Sequence, residues 1–397
     1  MVDAPASHLV GLNESAGATT VAGGASFAAL VADANTYAAA SKDAVFAPAQ
    51  SPSWIATWLR NVRPDGLLMT IGDGRHAVLS IALEIEKIGP FRVARLMGGG
   101  HANGNFPPTS RNLARTHHET AMALLIDQIG RHRPDIDLLA LERLAPEWLG
   151  LTNPFRVLPH TVSPNIALAV DLSGGFDAVL RRAHGSKKKK KHRYQLRRLQ
   201  AVGDMRQVRA SSPQEAHALL DTFFEMKSSR LKRIGVANVF GNAKVQAFFH
   251  DLFAEAATDA QPAFVLNALE VGGKVRAVTG SSLSGDRLIC DFAAIADDDV
   301  AAASPGDYLF FENIDAACRD GCAIYDFGVG DEPYKRSWCN IETEHFDVWV
   351  PLTTRGRLLA ATLSAKARLK AQVKRSPWAW RLWKALRGRL GRSGSTE

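Results

Sequence analysis

The order of apolar segments repeats along the chain, and this repeat constrains the fold more than any other feature. In each half, three closely spaced strand-like segments precede an amphipathic helix and a further buried strand. The first half has these segments at 67–71, 76–88, 91–97, 111–131, 137–141 and 166–170. The second half has two helices, at 212–233 and 242–257, followed by segments at 263–270, 275–283, 288–295, 305–319 and 323–327. The repeat predicts an α+β fold of two tandem halves.

Composition shifts suggest where the halves begin and end. Residues 1–25 are rich in Ala, Gly, Ser and Thr, and we expect them to be loose. The first half then covers 26–174 and the second half 204–353. A basic helix at 175–203 connects them, and a basic helical tail occupies 354–397.

The net charge of +8 is concentrated in two segments. Residues 181–198 hold ten Lys or Arg and no acid, and residues 351–397 hold twelve with one acid. The remaining residues therefore carry a net charge of −13. An acidic body does not offer a broad nucleic-acid surface, so nucleic acid is an unlikely partner.

Several protein classes lack support in this sequence. No apolar run approaches the ~18 residues of a membrane-spanning helix, and the first twenty residues lack a basic segment before an apolar one. Four cysteines in 397 residues do not form a disulfide framework. No zinc-ligand spacing, nucleophile elbow or phosphate-binding P-loop occurs, so no metal site is predicted. We expect a cytoplasmic protein with reduced thiols.

The strongest local motif is Ser304-Pro305-Gly306-Asp307-Tyr308. Ser304 is a suitable N-cap, Pro305 suits the first helical position, and Asp307 would complete a capping box. The motif is typical of an ordinary well-started helix. Because it follows a strand pair, its backbone N–H groups also suit a phosphate or pyrophosphate, and Gly306 would allow a close approach. Asp307 must then turn away from the anion.

A second motif, Asp326-Phe327-Gly328-Val329-Gly330-Asp331-Glu332-Pro333-Tyr334-Lys335, follows at a strand end. Carboxylates there suit general-base catalysis, although a polar turn with an Asp–Lys pair fits equally well. Asp291 lies inside an apolar strand, where a carboxylate needs a partner. It would orient an acceptor or form an ion pair with Lys335.

These residues resemble a known family. The run KKKHRYQLRRL at 189–199, Ser304-Pro305-Gly306, and the pattern from Asp326 to Trp338 are similar to the CelD/BcsL-like branch of the GNAT acyltransferases. The resemblance implies two GNAT-like halves, an acyl-CoA donor, and an acceptor related to envelope or extracellular polysaccharide. Fem-type aminoacyl transferases are more distantly similar and share the doubled fold. The chain lacks the basic residues of the GNAT pyrophosphate loop.

The resemblance implies direct acyl transfer, most simply from acetyl-CoA, to an amine or hydroxyl of a carbohydrate. Asp326 is the first candidate for the base, with Glu332 and Asp291 behind it, and Lys335 would steady a carboxylate or contact phosphate. The donor would lie at 304–308. The alternatives are aminoacyl transfer from charged tRNA and a non-catalytic module of a polysaccharide-synthesis complex.

Basic residues outside these motifs have two interpretations each. The Lys187–Lys191 run suits a solvated helix or attraction of CoA phosphates or an anionic acceptor, and the resemblance favours Arg193, Arg197 and Arg198 over the lysines. Lys227 and Arg230 share one helix face and are either surface charges or part of the acceptor site, together with Tyr334. His101, in a glycine-rich loop, is a candidate contact for an acceptor sugar.

The tail combines its basic residues with Trp378, Trp380 and Trp383. A basic helix with tryptophans suits an anionic membrane interface, and docking of its Leu and Trp side chains on the body is equally consistent. We expect weak contact with the inner membrane, and a chain without 354–397 that still folds and binds acetyl-CoA.

Overall fold

The computed structural model describes residues 19–20, 26–73, 76–102 and 104–375. The predicted strands and helix of the first half all form. Its elements are β1 (Thr19–Thr20), β2 (Ser26–Ala32), α1 (Ala34–Ala40), α2 (Pro52–Asn61), β3 (Gly66–Gly72), β4 (Ala77–Ile88), β5 (Phe91–Leu96), α3 (His118–His132), β6 (Leu138–Leu144), β7 (Glu147–Trp148), β8 (Leu151–Thr152) and β9 (His160–Asp171).

The second half follows two connecting helices. These are α4 (Gly175–Arg182) and α5 (Gly185–Gln200). The remaining elements are β10 (Met205–Arg209), α6 (Pro213–Arg233), α7 (Ala243–Ala256), β11 (Phe264–Val271), β12 (Lys274–Ser284), β13 (Arg287–Ile295), α8 (Pro305–Arg319), β14 (Ile324–Val329), α9 (Pro333–Arg336), β15 (Ile341–Pro351) and α10 (Thr354–Arg375). The single predicted connecting helix is interrupted because His184 adopts left-handed backbone angles, with φ of 55°.

Thirteen strands form one mixed sheet with a quasi-two-fold order. The order is β1-β2-β3-β4-β5-β6-β15-β9-β14-β13-β12-β11-β10. From one outer edge, the five antiparallel strands β1 to β5 lead to the parallel pair β5–β6, and from the other edge the four antiparallel strands β10 to β13 lead to the parallel pair β13–β14. The crossover helices α3 and α8 occupy equivalent places. The predicted doubled α+β architecture is confirmed.

The two halves exchange their last strands. Strand β9 is the last strand of the first half in sequence but pairs with β14 of the second, and β15 pairs with β6 of the first. The two exchanged strands also pair with each other at the centre of the sheet. The boundaries at 174 and 204 therefore divide the sequence but not the sheet.

An aromatic core joins the halves. Trp54 and Trp58 of α2 pack against Phe248 of α7, with ring centroids 4.8 Å apart in both pairs. Phe292 of β13 belongs to the same buried cluster. Because this core draws side chains from both halves, the first half contributes directly to the packing of the second.

The first part of the predicted tail is a docked helix. Gly356 of α10 lies so close to Asp137 that an added Cβ would be 1.8 Å from its carbonyl oxygen. Ala360 and Ala367 are buried on the same side. The tryptophans predicted to contact a membrane lie outside the described residues. Among the described helices, none has the length and apolarity needed to cross a membrane.

Candidate active site

A cleft opens where β14 separates from β13. The two strands pair in parallel from Arg287↔Ile324 to Ile289↔Asp326 and then diverge. Beyond Ile289, β13 continues to Ile295 with β12 on its other side only. The carbonyl oxygen of Ala293 on this open edge accepts a hydrogen bond of 3.2 Å from Lys227 Nζ. The cleft therefore presents free backbone groups that an extended ligand can pair with.

Helix α8 starts beside this open edge. Pro305 is its first residue, and Ser304 precedes it in the left-handed region, with φ of 57°. The side-chain cap predicted for Ser304 is wrong, since its hydroxyl caps no helix N–H. Asp307 turns away as expected, but towards α5, where its Oδ2 accepts from Gln195 Nε2 at 3.0 Å and lies 2.9 Å from Lys191 Nζ. Its negative charge is thereby neutralised outside the turn.

Gly306 is required by packing between helix and strand. A Cβ at this position would lie 2.5 Å from Cγ2 of Ile295. The glycine lets the first turn of α8 rest directly on β13. A larger residue at this position would therefore collide with Ile295.

The cleft contains a cavity of about 450 Å³. Its wall is formed by three separate segments that were predicted to be functional. They are the α6 face, the start of α8 and the turn after β14. The predicted residues on its wall are Lys227, Arg230, Ser304, Gly306, Glu332 and Tyr334, and Asp307 borders it. The fold thus brings together motifs that are more than 70 residues apart in sequence.

Comparison with known proteins agrees with this geometry. Residues 186–336 match the family model described as an acetyltransferase (GNAT) domain. This segment of the chain is therefore similar to GNAT acetyltransferases. The match begins in α5 and ends in α9, so it includes every wall of the cleft. No curated protein matches the sequence.

Solved structures align with this chain along most of its length. The crystal structure of FemX aligns with a TM-score of 0.58 and 11% identity, covering 85% of this chain and 99% of FemX. The C-terminal domain of a putative lysylphosphatidylglycerol synthetase from Agrobacterium fabrum aligns at 0.48 and 12% identity, covering 79% and 90%. A tandem GNAT protein from the clavulanic acid pathway aligns at 0.45 and 10%, covering 82% and 99%.

Some predicted donor contacts lie away from the GNAT cleft. Arg193 and Arg197 are exposed, whereas α5 turns Lys191, Gln195 and Arg198 towards α8. Tyr308 packs under α5, where its ring stacks on His192 at 4.5 Å. Of the three arginines that the resemblance favours, Arg198 turns towards the start of α8, and a basic run gives no sign of which of its residues face inward.

His101 belongs to the core between the halves. Its ring lies 4.9 Å from Phe240 and 5.4 Å from Phe249. Burial, followed by the nearby Arg143, lowers its pKa to about 4, so the ring is neutral. The structure does not bring His101 to the cleft as the sugar contact predicted from its loop.

Two lysines occupy buried or half-buried positions at the cleft, where Lys227 lines the cavity and Lys335 lies behind Glu332. Lys335 is 5% exposed, and its Nζ donates to the carbonyl oxygen of Val329 at 3.0 Å and lies 3.1 Å from Glu332 Oε2. The predicted pairing of Lys335 with Asp291 does not form. Burial, then the neighbouring Arg230, lowers the pKa of Lys227. Unfavourable positive charge has therefore accumulated on one wall.

Two carboxylates mark the point where the strands separate. Asp326 is 6% exposed; its Oδ2 accepts from Arg287 Nη1 and its Oδ1 from the N–H of Gly328, both at 2.7 Å. Asp291 accepts from Ser282 Oγ at 3.2 Å, while its Oδ2 is buried without a partner. Burial, opposed by that hydrogen bond, raises the pKa of Asp291 to about 8. Asp326 is held by Arg287, whereas Asp291 is protonated near neutral pH.

Asp326 faces the first half across the sheet from α8. Its neighbours Tyr325 and Phe327 pack in the cluster under α8, so strand alternation places Asp326 on the opposite face. There it lines a small cavity of about 50 Å³ with Arg287, Trp148 and His345. His345 is 4% exposed with an unpartnered Nδ1, and burial lowers its pKa to about 4. Sequence reasoning missed His345, which lies on an exchanged strand.

The equivalent opening in the first half is bridged by protein groups. Strands β5 and β6 pair in parallel over only two positions before they diverge. Arg95 of β5 forms an ion pair with Glu142 of β6 across this opening. Arg143 also donates to the carbonyl oxygen of Gly99 at 2.9 Å. These contacts bridge the opening and leave a cavity of about 180 Å³, so the second half has the larger cavity, of about 450 Å³.

Proposed function

We propose that the cleft between β13 and β14 binds an acyl-CoA, most simply acetyl-CoA, and transfers its acyl group directly to an acceptor. The observation that carries this proposal is the meeting of the α8 start, the open edge of β13 and the turn after β14 in one cavity. The stretch from Ile289 to Ile295 is about 20 Å long by strand geometry. That length suits an extended pantetheine arm with its phosphates beside α8.

In this arrangement, the thioester lies near the point where the strands separate. Free β13 N–H groups there would polarise its carbonyl oxygen. The acceptor amine or hydroxyl would approach from the first-half side, where Asp326 is positioned to take its proton. The amine or hydroxyl attacks the thioester carbon, and the carbon–sulfur bond breaks to release the thiol of CoA. Glu332, on the outer wall, is the second candidate for the base.

The acceptor class rests on the family resemblance, which implies a carbohydrate of the cell envelope or an extracellular polysaccharide. A cytoplasmic location with weak attachment to an anionic inner-membrane surface through 376–397 would place the protein near such an acceptor. The positive charge of that segment supports the attachment, since each Lys or Arg near an anionic surface contributes about 1 kcal/mol.

Isothermal titration with acetyl-CoA tests the donor assignment. We expect one binding site and release of CoA thiol when amino sugars are supplied as acceptors. An Asp326→Asn variant should bind acetyl-CoA normally while losing about 10²-fold or more of the transfer rate, with Glu332→Gln as its comparison. No binding of acetyl-CoA at millimolar concentration would contradict the proposal.

Aminoacyl transfer from charged tRNA is the second candidate. The exposed basic face of α5, which includes Arg193 and Arg197, favours it because a polyanion could lie there. Binding of charged tRNA without binding of acetyl-CoA would support this candidate instead. If the chain binds neither charged tRNA nor acetyl-CoA but does bind a polysaccharide, a non-catalytic module is favoured instead.

A further inference from the structure

The turn that starts α8 has little positive charge of its own. Residues 296–308 contain no Lys or Arg and four aspartates. Pro305 has no N–H to offer a phosphate. On α5, Lys191 is already paired with Asp307 at 2.9 Å and Arg198 donates to the carbonyl oxygen of Ala302, and neither side chain lines the cavity. A pyrophosphate bound here therefore needs positive charge from another element.

Helix α6 has two cations on the wall of the same cavity. Lys227 and Arg230 are three residues apart, which places them on one helix face. Among the described residues, neither forms an ion pair with a carboxylate within 4.0 Å. Lys227 Nζ instead donates to the neutral carbonyl oxygen of Ala293. A charged group beside a neutral acceptor in a partly enclosed cleft gains stability when an anion arrives.

The position of Ala293 relates these cations to the α8 turn. Ile295 contacts Gly306 of that turn and is two residues along β13 from Ala293. This separation is about 7 Å by strand geometry, which the flexible lysine side chain can cross. The carbonyl oxygen that Lys227 would leave becomes available to an amide N–H of the donor.

We propose that Lys227 and Arg230 bind the pyrophosphate of the acyl donor and replace the missing basic residues of the α8 turn. Lys227 exchanges the Ala293 carbonyl for a phosphate oxygen when the donor enters. The two residues thus belong to the donor site, whereas their sequence had suggested the acceptor site. This inference rests on the proposed use of acyl-CoA.

The test compares donors with and without phosphate by isothermal titration. The probes are acetyl-CoA, ADP and S-acetylpantetheine, and the variants are Lys227→Gln, Arg230→Gln and the double variant. Lys232→Gln, on an exposed position of the same helix, is the matched control. We expect the double variant to bind acetyl-CoA and ADP about tenfold or more weakly, with S-acetylpantetheine unaffected. The affinity for acetyl-CoA should also become less dependent on salt.

Each outcome decides between the two claims. Unchanged affinity of the double variant for acetyl-CoA would overturn this inference and leave the proposed function standing. Equal weakening for S-acetylpantetheine would also overturn it, because a structural effect does not depend on phosphate. Failure of the unaltered chain to bind acetyl-CoA would overturn both. Far-ultraviolet circular dichroism and the thermal midpoint confirm that each variant is folded.

Discussion

Asp291 couples the stability of the cleft to pH. Burial raises the pKa of Asp291 to about 8, well above the ordinary value of an aspartate, so the folded chain holds this proton more tightly than the unfolded chain. Unfolding therefore releases a proton between about pH 4 and pH 8, and this group's contribution to stability falls as pH rises through that window. We expect Asp291→Asn, which keeps the neutral shape, to be more stable than the original chain at pH 8.5.

Urea unfolding at pH 5 and pH 8.5 measures this difference. At pH 5 the group at position 291 is neutral in both folded chains, but Asp291 is already largely ionised in the unfolded original chain, so the gain for Asp291→Asn should be smaller than at pH 8.5. A gain for Asp291→Asn that is the same at both pH values would show that the carboxyl group does not titrate as the structure indicates.

The sequence indicated which residue types form the site but not always which way they point. Gly306, Glu332 and Tyr334 line the cleft as their motifs suggested. Arg193 and Arg197 do not, because consecutive basic residues contain no apolar period that defines the buried face of α5. Asp307 was expected to turn aside, yet its partner Gln195 lies 112 positions away. Contacts at such distances depend on tertiary packing and leave no local pattern.

At the scale of elements, the approach of α8 to β13 makes a glycine necessary. We expect Gly306→Ala to destabilise the fold by about 1–3 kcal/mol, because its Cβ would meet Ile295. Gly130→Ala in α3 is the control, since nothing lies within 4 Å of its Cβ. That change should stabilise the chain by about 0.5–1 kcal/mol.

A double-mutant cycle with Ile295→Ala locates the cause. The loss from Gly306→Ala should shrink once the Ile295 methyl groups are removed, which appears as non-additive unfolding free energies. If the two losses in unfolding free energy are strictly additive, Gly306 acts through its backbone freedom. In that case α8 and β13 tolerate a larger spacing.

The predicted tail, 354–397, has two parts, which are helix α10 and the segment 376–397 that follows it. The expected independence of 354–397 from the fold is contradicted, because α10 covers Val93, Leu138 and Ala140 of the sheet through Ala360. A chain ending at 353 should lose about 2–5 kcal/mol of stability as this face is exposed. A chain ending at 375 should retain its stability and acetyl-CoA binding while losing affinity for anionic vesicles.

Urea unfolding and vesicle flotation distinguish these chains. Vesicles of neutral phosphatidylcholine serve as the control for those that contain anionic phosphatidylglycerol. If the chain ending at 375 floats with anionic vesicles as well as the full chain does, the proposed membrane contact of 376–397 is wrong.

For the whole molecule, the repeated order of segments was enough to predict two similar halves. The exchange of β9 and β15 was not predictable, because each pairs with strands far away in sequence and its own pattern resembles any other strand. The exchange and the shared core around Trp54 and Phe248 make each half depend on the other. The first half can thus shape the acceptor side of a cleft whose donor side belongs to the second.

The central claim is that the second half alone binds the acyl donor. Hydrogen–deuterium exchange measured by mass spectrometry with and without saturating acetyl-CoA tests it most directly. We expect added protection of amides in 291–296 and 304–309, which form the open edge of β13 and the start of α8, and no change in 93–100 of the first half. Protection confined to 93–100, or none in either segment, would contradict the account.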